Sequence, residues 1–223
     1  MGRITKIFAA LVICLGFVAC NCGQKCRSGK DDKCCQDAEC CQAKARAAAF
    51  DEIVASRRSV RGYDASKTIS EAEVREVLAA AQEAPSWINY EPAKYYVAMS
   101  LEKIAAVKEA LGRNKDRLEG VSALIVSAFE QSKSGFVDGK IVDPIGDQWG
   151  AHDCGLSVAF LILKARSMGF DTLIMGGRDA DALRAIFPIP ENETVMAVIA
   201  LGYRKDDPQR PERRPFDEVV KFF

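Results

Sequence analysis

Histidine is almost missing from this chain: His152 is the one copy in 223 residues. A histidine-rich metal centre is thereby excluded, and a nucleophile–histidine–acid triad has a single candidate base. That candidate follows a loop and opens an apolar helix, where capping or packing is the ordinary role. Net charge is missing too. Lys+Arg and Asp+Glu each number 31, so no global field draws the chain to nucleic acid, and a basic cluster has to be read locally. There is no internal repeat, and no apolar run of the roughly 18 to 20 residues that a spanning helix needs. What is present is globular in kind. Hydrophobic residues make up 48% and charged residues 28%, in a chain long enough for one domain with a sizeable core and some extra sequence.

The extra sequence lies at the N-terminus. Arg3 and Lys6 flank the start of an almost unbroken apolar run, residues 7–18, that ends in Phe-Val-Ala-Cys. A basic start, a short apolar stretch and a small residue before a cleavage point are the anatomy of an export signal. Cys20, directly after Ala19, resembles the lipobox of bacterial lipoproteins, where that cysteine becomes the lipidated first residue; Phe17 stands where those proteins usually carry Leu. Residues 1–19 are therefore expected to be a lipoprotein signal peptide, with Cys20 lipidated and the protein exported and anchored to a membrane of a bacterial cell envelope. Plain cleavage and secretion is the alternative.

Seven of the nine cysteines fall between Cys20 and Cys41, among Lys, Asp, Gly, Ser and Gln. With so little apolar material, residues 20–43 cannot build a core and read as a cysteine-rich tether or a locally cross-linked knot. Disulfides are the default in an exported chain. Clustered thiolates also suit a soft metal, but no pair repeats a C-x-x-C spacing and no histidine joins them. After Cys41 the composition changes abruptly, and residues 44–223 form the expected folded domain.

From there the chain alternates in type. Residues 44–56 read as a helix. Ser70, followed three residues later by Glu73, is a capping box that starts a second helix running to about Glu83. Residues 94–99 and 121–129 are β-rich, with a helix over 101–111 between them. Residues 132–150 carry scattered Gly, Asp and Pro144 and read as an exposed loop or flap. Residues 151–168 form a long helix, apolar nearly all round, that Gly169 ends. Residues 172–175 and 194–203 are further strands, separated by a helix over 180–186. Helices interleaved with a few strands predict an α+β sandwich. A helix apolar on every side must be covered on every side, and a second subunit could supply part of the cover. Cys154 on that helix reads as core rather than as a nucleophile.

Four local signals carry chemistry. Arg57-Arg58-Ser59-Val60-Arg61 is the densest basic cluster of the domain. Arginine forks suit phosphate, although cations at a helix end also complement its dipole. Ala84-Pro85-Ser86-Trp87-Ile88-Asn89 closes the second helix, since Pro85 prevents continuation, and the Asn89 amide can both donate and accept. Met175-Gly176-Gly177 follows a strand. Paired glycines there allow a flat ligand to approach the backbone, or simply make a turn. Last, Arg204, Lys205, Arg210, Arg213 and Arg214 form a basic stretch that charge alone would leave as a solvated tail.

Taken in order, these motifs, with "IALGYRK" and "RRPFDEVV" near the end, resemble the nitroreductase superfamily of FMN-dependent NAD(P)H oxidoreductases over about residues 45–223. The resemblance implies a three-layer α/β/α sandwich, a small mixed sheet covered by helices, in an intertwined homodimer. It implies FMN as cofactor, with Arg57 and Ser59 at the phosphate and ribityl chain, Arg58 beside them, and Arg61 at the pyrimidine N1/O2 side. Pro85, Ser86, Trp87 and Asn89 would come from the second subunit, with Asn89 on the ring edge. Met175, Gly176 and Gly177 would lie opposite N5, the Gly177 N–H bonding it, and Arg213 would complete the phosphate site ahead of Arg214 and Arg210. No side chain acts as a catalytic acid or base in that scheme, and no metal is involved. Electrons would pass in ping-pong fashion from NAD(P)H through N5 to a nitroaromatic, quinone or enone.

Two departures stand out. Glu91-Pro92-Ala93 replaces the family's frequent Gln-Pro-Trp, which opens space near the site. And NAD(P)H is cytosolic, whereas the signal directs the protein outward. A different class of function is therefore carried forward: an anchored, cysteine-rich lipoprotein that binds metal or makes redox contacts, its flavin fold only a scaffold.

Overall fold

The computed structural model describes residues 38–223. The chain divides into two compact units, Met1–Ala49 and Phe50–Phe223. Of the first, the described part is the opening of helix α1 (Ala38–Ser56), which starts earlier than the pattern predicts because Ala, Glu and Gln are good helix formers. The expected signal peptide and Cys20 lie outside the described residues. No helix among those described is long and apolar enough to cross a membrane.

In the second unit, strands β1 (Ala93–Ala98), β2 (Ala123–Glu130), β6 (Glu193–Gly202) and β5 (Asp171–Met175) form one sheet in that spatial order. All three pairings are antiparallel, with Tyr96 opposite Val126, Val126 opposite Val198, and Ile174 opposite Ile199. The parallel element is a single bridge, Ser59 to Thr172, in which the Val60 N–H donates to the Thr172 carbonyl at 3.0 Å. The sheet's mixed character is thus confined to the outer edge of β5.

Strand β2 is buried from Ala123 to Phe129, which is why it reads as an unbroken apolar run. Its alternate residues feed two cores. Leu124 and Val126 face α3 (Leu101–Glu109) and α5 (Ala180–Ile186) through Ile104, Val107 and Leu183. Ala123, Ile125 and Phe129 face α2 (Glu71–Gln82) and α4 (Gln148–Ser167) through Val77, Cys154 and Leu161. The result is the three-layer α/β/α sandwich expected.

Local signals explain the boundaries. Ser70 caps α2: its Oγ accepts from the Glu73 N–H at 3.3 Å, and the Glu73 carboxylate accepts from the Ser70 N–H at 2.8 Å. Segment 132–150 is more ordered than a plain flap. It holds a small hairpin, β3 (Phe136–Val137) with β4 (Lys140–Ile141), turned by Asp138 and Gly139 at φ 50° and 70°. Helix α4 begins ahead of its predicted start and buries one face, Gly150, Asp153, Cys154, Ser157, Leu161 and Ala165. Its other face is left partly open among the described residues, and Phe160 there is 40% exposed. Past β6 the chain runs over the surface to a short α6 (Phe216–Val219), leaving Phe216, Phe222 and Phe223 exposed.

Candidate functional site

The arginine cluster sits where α1 stops and the chain turns along β5. Arg57, Arg58, Ser59 and Arg61 line a cavity of about 250 Å3 that is closed by Arg210, Arg213 and neighbouring residues of the C-terminal tail. Arg213 thus lies beside Arg57. Among the described residues no carboxylate pairs with any of these five arginines. Arg58 is anchored by carbonyls instead, its guanidinium donating to Ala55 at 2.7 Å and to Pro208 at 3.3 Å. The Arg57 guanidinium is held below its ordinary pKa, first by burial and then by the positive charges of Arg213 and Arg58. Like charges gathered around an opening without a counter-ion form a seat for an anion.

A buried ion network behind the cluster fixes its position. The Asp171 carboxylate, 3% exposed, accepts from Arg204 Nε at 2.8 Å and from Arg166 at 3.4 Å. Both cations also hold Ser56: Arg204 donates to its carbonyl at 3.2 Å, and Arg166 Nε to its hydroxyl at 2.9 Å. Asp171 raises the Arg204 pKa further. Sequence reasoning missed this network. Its signal was an acid opening an apolar strand, which requires a cation opposite, and the antiparallel pairing of Asp171 with Gly202 brings Arg204 there.

At the other end of β5, Met175 enters the core while Gly176 and Gly177 emerge at the surface. The glycine pair lies about 13 Å along the strand from Thr172, at ~3.3 Å per residue. The Asn114 amide donates to the Gly177 carbonyl at 3.2 Å. A Cβ at Gly177 would stand 3.2 Å from that same Asn114 nitrogen, while one at Gly176 would meet nothing within 4 Å. Among the described residues the Gly177 N–H has no acceptor. A cleft of about 750 Å3 opens beside it.

The Pro85–Asn89 segment occupies a different place. Trp87 to Asn89 form a short 3-10 turn in which Ile88 and Asn89 have φ 47° and 58°, and Glu91 follows at 48°. Three such residues within four positions, with Tyr90 between them in ordinary right-handed geometry, are strained backbone, tolerated where the surroundings impose it. Here the Trp87 N–H donates to Asp153 at 3.0 Å, the Glu91 N–H to Ser86 Oγ at 2.9 Å, and the Asn89 amide to Glu91 at 3.0 Å. Pro85 and Ser86 line a third cavity, about 470 Å3, between α2, β1 and α4. Within one chain they share neither the arginine cavity nor the glycine cleft.

Asp153 is a second residue sequence reasoning missed. Buried at 3% exposure, it also accepts from Ser134 Oγ at 2.6 Å and meets His152 Nδ1 at 3.3 Å, tying three segments together. His152 packs edge-on against Trp149, centroids 5.3 Å apart, consistent with a packing role. Trp149 in turn lies 4.8 Å from the Trp87 ring, and both indole N–H groups are buried without a partner among the described residues. Cys154 is core: burial pushes its thiol pKa up to about 11.

A family model described as the nitroreductase family matches residues 54–203. The chain belongs to the nitroreductase family. A protein of Archaeoglobus fulgidus, provisionally named an NADH dehydrogenase/NAD(P)H nitroreductase, is 29% identical over 160 residues, which is 70% of this chain and 86% of that one. A solved structure from Staphylococcus epidermidis, provisionally named an NAD(P)H:FMN oxidoreductase, is 25% identical, superposes with a TM-score of 0.70, and covers 78% of this chain and 95% of its own. A provisionally named nitroreductase of Exiguobacterium sibiricum, solved in complex with FMN, shares the fold at a TM-score of 0.70 and 24% identity, over 78% of this chain and 97% of that one. The nitroreductase match takes in the arginine cluster, the Pro85–Asn89 segment and the glycine pair. Arg213 and the cysteine-rich residues 20–43 fall outside it.

Proposed function

We propose that Arg57, Ser59 and Arg213, with Arg58 beside them, hold the phosphate and ribityl chain of FMN, and that Gly176 and Gly177 hold the edge of its ring near N5. The domain is an FMN-dependent NAD(P)H oxidoreductase of nitroreductase type. The observation that carries the site assignment is the set of arginines without carboxylate partners at one end of β5, with an open glycine pair at the other. A dianionic phosphate supplies the charge that Arg57, Arg58 and Arg213 lack, and a flat ring needs the Cβ-free approach that the glycines allow.

When bound, FMN supplies the two-electron chemistry, ping-pong hydride transfer through N5 from NAD(P)H to a nitroaromatic, quinone or enone. The chain's own residues orient and polarise. Arg61 is exposed beyond Ser59, and among the described residues its guanidinium makes one hydrogen bond, to the Ser59 carbonyl at 3.2 Å, so further donors remain for the pyrimidine side. The Gly177 N–H is a fixed donor for N5. Ser86, Trp87 and Asn89 are supplied by a second copy of the chain, which accounts for their separation from the arginine cavity here. The exposed Phe160 on α4, with Phe216 and Phe222 in the tail, supports such a homodimer, since each is an apolar surface left uncovered among the described residues.

Cys20 is proposed as the site of lipidation after removal of residues 1–19, which would anchor the enzyme to a membrane outside the cytoplasm. Incorporation of labelled fatty acid into the wild type but not into Cys20→Ala is expected; equal labelling of both would refute it.

The test of the flavin reading is direct. The purified protein is expected to be yellow, to release FMN on denaturation, and to bleach anaerobically with NADH or NADPH. A colourless protein that takes up no FMN sinks the assignment.

A further inference from the structure

Residues 86–91, the segment that a second copy brings to the flavin, are held mostly by their own bonds. The Asn89 and Tyr90 N–H groups donate to the Ser86 and Trp87 carbonyls at 3.1 and 2.9 Å. The Glu91 N–H donates to Ser86 Oγ, and the Asn89 amide to Glu91. These bonds give the segment a shape, its three left-handed positions included, but they give it no place. Among the described residues, one hydrogen bond ties it to the rest of the domain: the Trp87 N–H donates to Asp153 Oδ2 at 3.0 Å.

Asp153 lies in the second turn of α4, 3% exposed, and among the described residues no lysine or arginine pairs with it. Ser134 Oγ donates to the same Oδ2 at 2.6 Å, and His152 Nδ1 meets Oδ1 at 3.3 Å. A buried carboxyl group is costly unless its oxygens are engaged, and here the engagement reaches into two other segments. An apolar side chain would fill the same space at lower cost and could hold neither. The other restraint on the segment is the Trp87 ring, tilted against Trp149 one turn earlier on α4. That contact has no directional bond, since both indole N–H groups are unpartnered among the described residues.

We propose that Asp153 is a positioning residue for the flavin site of the other subunit: through Trp87 it sets Ser86 and Asn89 against a cofactor held by the second copy's arginine cluster. The inference rests on the flavin and homodimer readings above, and adds a residue that touches neither cofactor nor substrate. Its reach follows from the geometry, because Ser86 lines neither the arginine cavity nor the glycine cleft of its own chain. A chain that loses Asp153 therefore damages its partner's site and leaves its own intact.

Complementation between full-length chains tests this. Homodimers of Arg57→Ala and of Asp153→Ala should each bind FMN at least about tenfold more weakly than the wild type in a fluorescence titration of the apo-protein. A mixed dimer, its two chains carrying different tags, has one site with both defects and one with neither, so it should bind a single FMN at wild-type affinity. A mixed dimer with no restored site would overturn the proposal. So would an Asp153→Ala homodimer that retains FMN like the wild type, or a wild type that holds FMN as a monomer. Asp153→Asn keeps an acceptor for Trp87 and Ser134 and should recover most of the affinity; a loss as large as that of the Ala variant would overturn the positioning role. Should Asp153→Ala fail to fold, Asp153→Glu, which keeps the carboxyl group but sets it farther from Cα, takes its place in the mixed dimer. A wild type that takes up no FMN would sink the flavin reading itself. Amide hydrogen exchange needs no flavin: in the apo-protein residues 87–91 should exchange faster in Asp153→Ala while α3 is unaltered, and unchanged exchange at 87–91 would overturn the proposal whatever the flavin does.

Discussion

Asp171 and Arg204 form a bidentate pair, with Arg204 Nε 2.8 Å from one carboxylate oxygen and a second guanidinium nitrogen on the other. Because Arg204 also donates to the Ser56 carbonyl, the pair joins β5 and β6 to the residue just before Arg57. Removing one partner of a buried pair leaves an uncompensated charge, which costs more than the pair contributes. Asp171→Ala is therefore expected to destabilise the domain by about 3 kcal/mol in urea unfolding. It should also weaken FMN retention in the protein that remains folded, since Ser56 and Arg57 lose their anchor. Unchanged stability would mean that Arg204 is held by Asp207 and solvent alone.

Arg57→Ala tests the opposite balance. The Arg57 pKa is lowered by burial, Arg213 and Arg58, so its charged form is less favourable in the folded chain than in the unfolded one. Arginine stays protonated at any working pH, and deleting this charge should leave the apo-protein's stability unchanged or slightly raised. FMN affinity should fall by roughly ten- to a hundredfold, the loss of one or two charge-assisted phosphate contacts. Equal flavin retention in the variant and the parent would refute the phosphate assignment.

The capping box at α2 makes a pH-dependent contribution. Hydrogen bonds from the Ser70 hydroxyl and N–H hold the Glu73 carboxyl below its ordinary pKa. A depressed carboxylate stabilises the fold above its unfolded pKa, about 4.3, and that contribution is lost as pH falls through the lower folded value. Ser70→Ala is expected to lower Tm by roughly 2–4 °C at neutral pH, as for a lost N-cap in a domain of this size. The gap between the variant and the wild type should narrow on acidification below pH 4. A gap constant with pH would show that Glu73 is not coupled to the cap.

These residues show how far the sequence could be read. The Ser70–Glu73 box lies within one turn, so its spacing announces it. The strand over 121–129 announces itself by composition, because a strand covered on both faces is apolar nearly throughout. The Asp171–Arg204 pair depends on the β5–β6 register, and Asp153 depends on three segments meeting, so neither has a local pattern. The hairpin at 136–141 has strands too short to show a period, although Asp138-Gly139 is a turn signal. The arginine cavity was half legible: the 57–61 cluster is contiguous, but its approach to Arg213 requires the tail to fold back past β6.

Gly150 presents the sharpest packing constraint between α4 and the sheet. A Cβ built there would lie 2.4 Å from Phe129 Cδ2 and 2.7 Å from Cε2, and the Phe129 ring is buried with only 4% exposure. In an exposed helix Gly→Ala gains about 1 kcal/mol through propensity. Here the clash forces the ring or the helix to move, and overpacking of this kind costs typically 1–3 kcal/mol. The two terms have opposite signs, and the close approach of a fixed ring decides for destabilisation. Gly150→Ala should therefore lower the urea midpoint, whereas the same change at Gly155, where a Cβ meets nothing within 4 Å, should raise it. Pairing Gly150→Ala with Phe129→Leu provides the check. The smaller side chain makes room for the methyl group, so the double variant should lose less than the sum of the two singles. Additive losses would place the strain somewhere other than this contact.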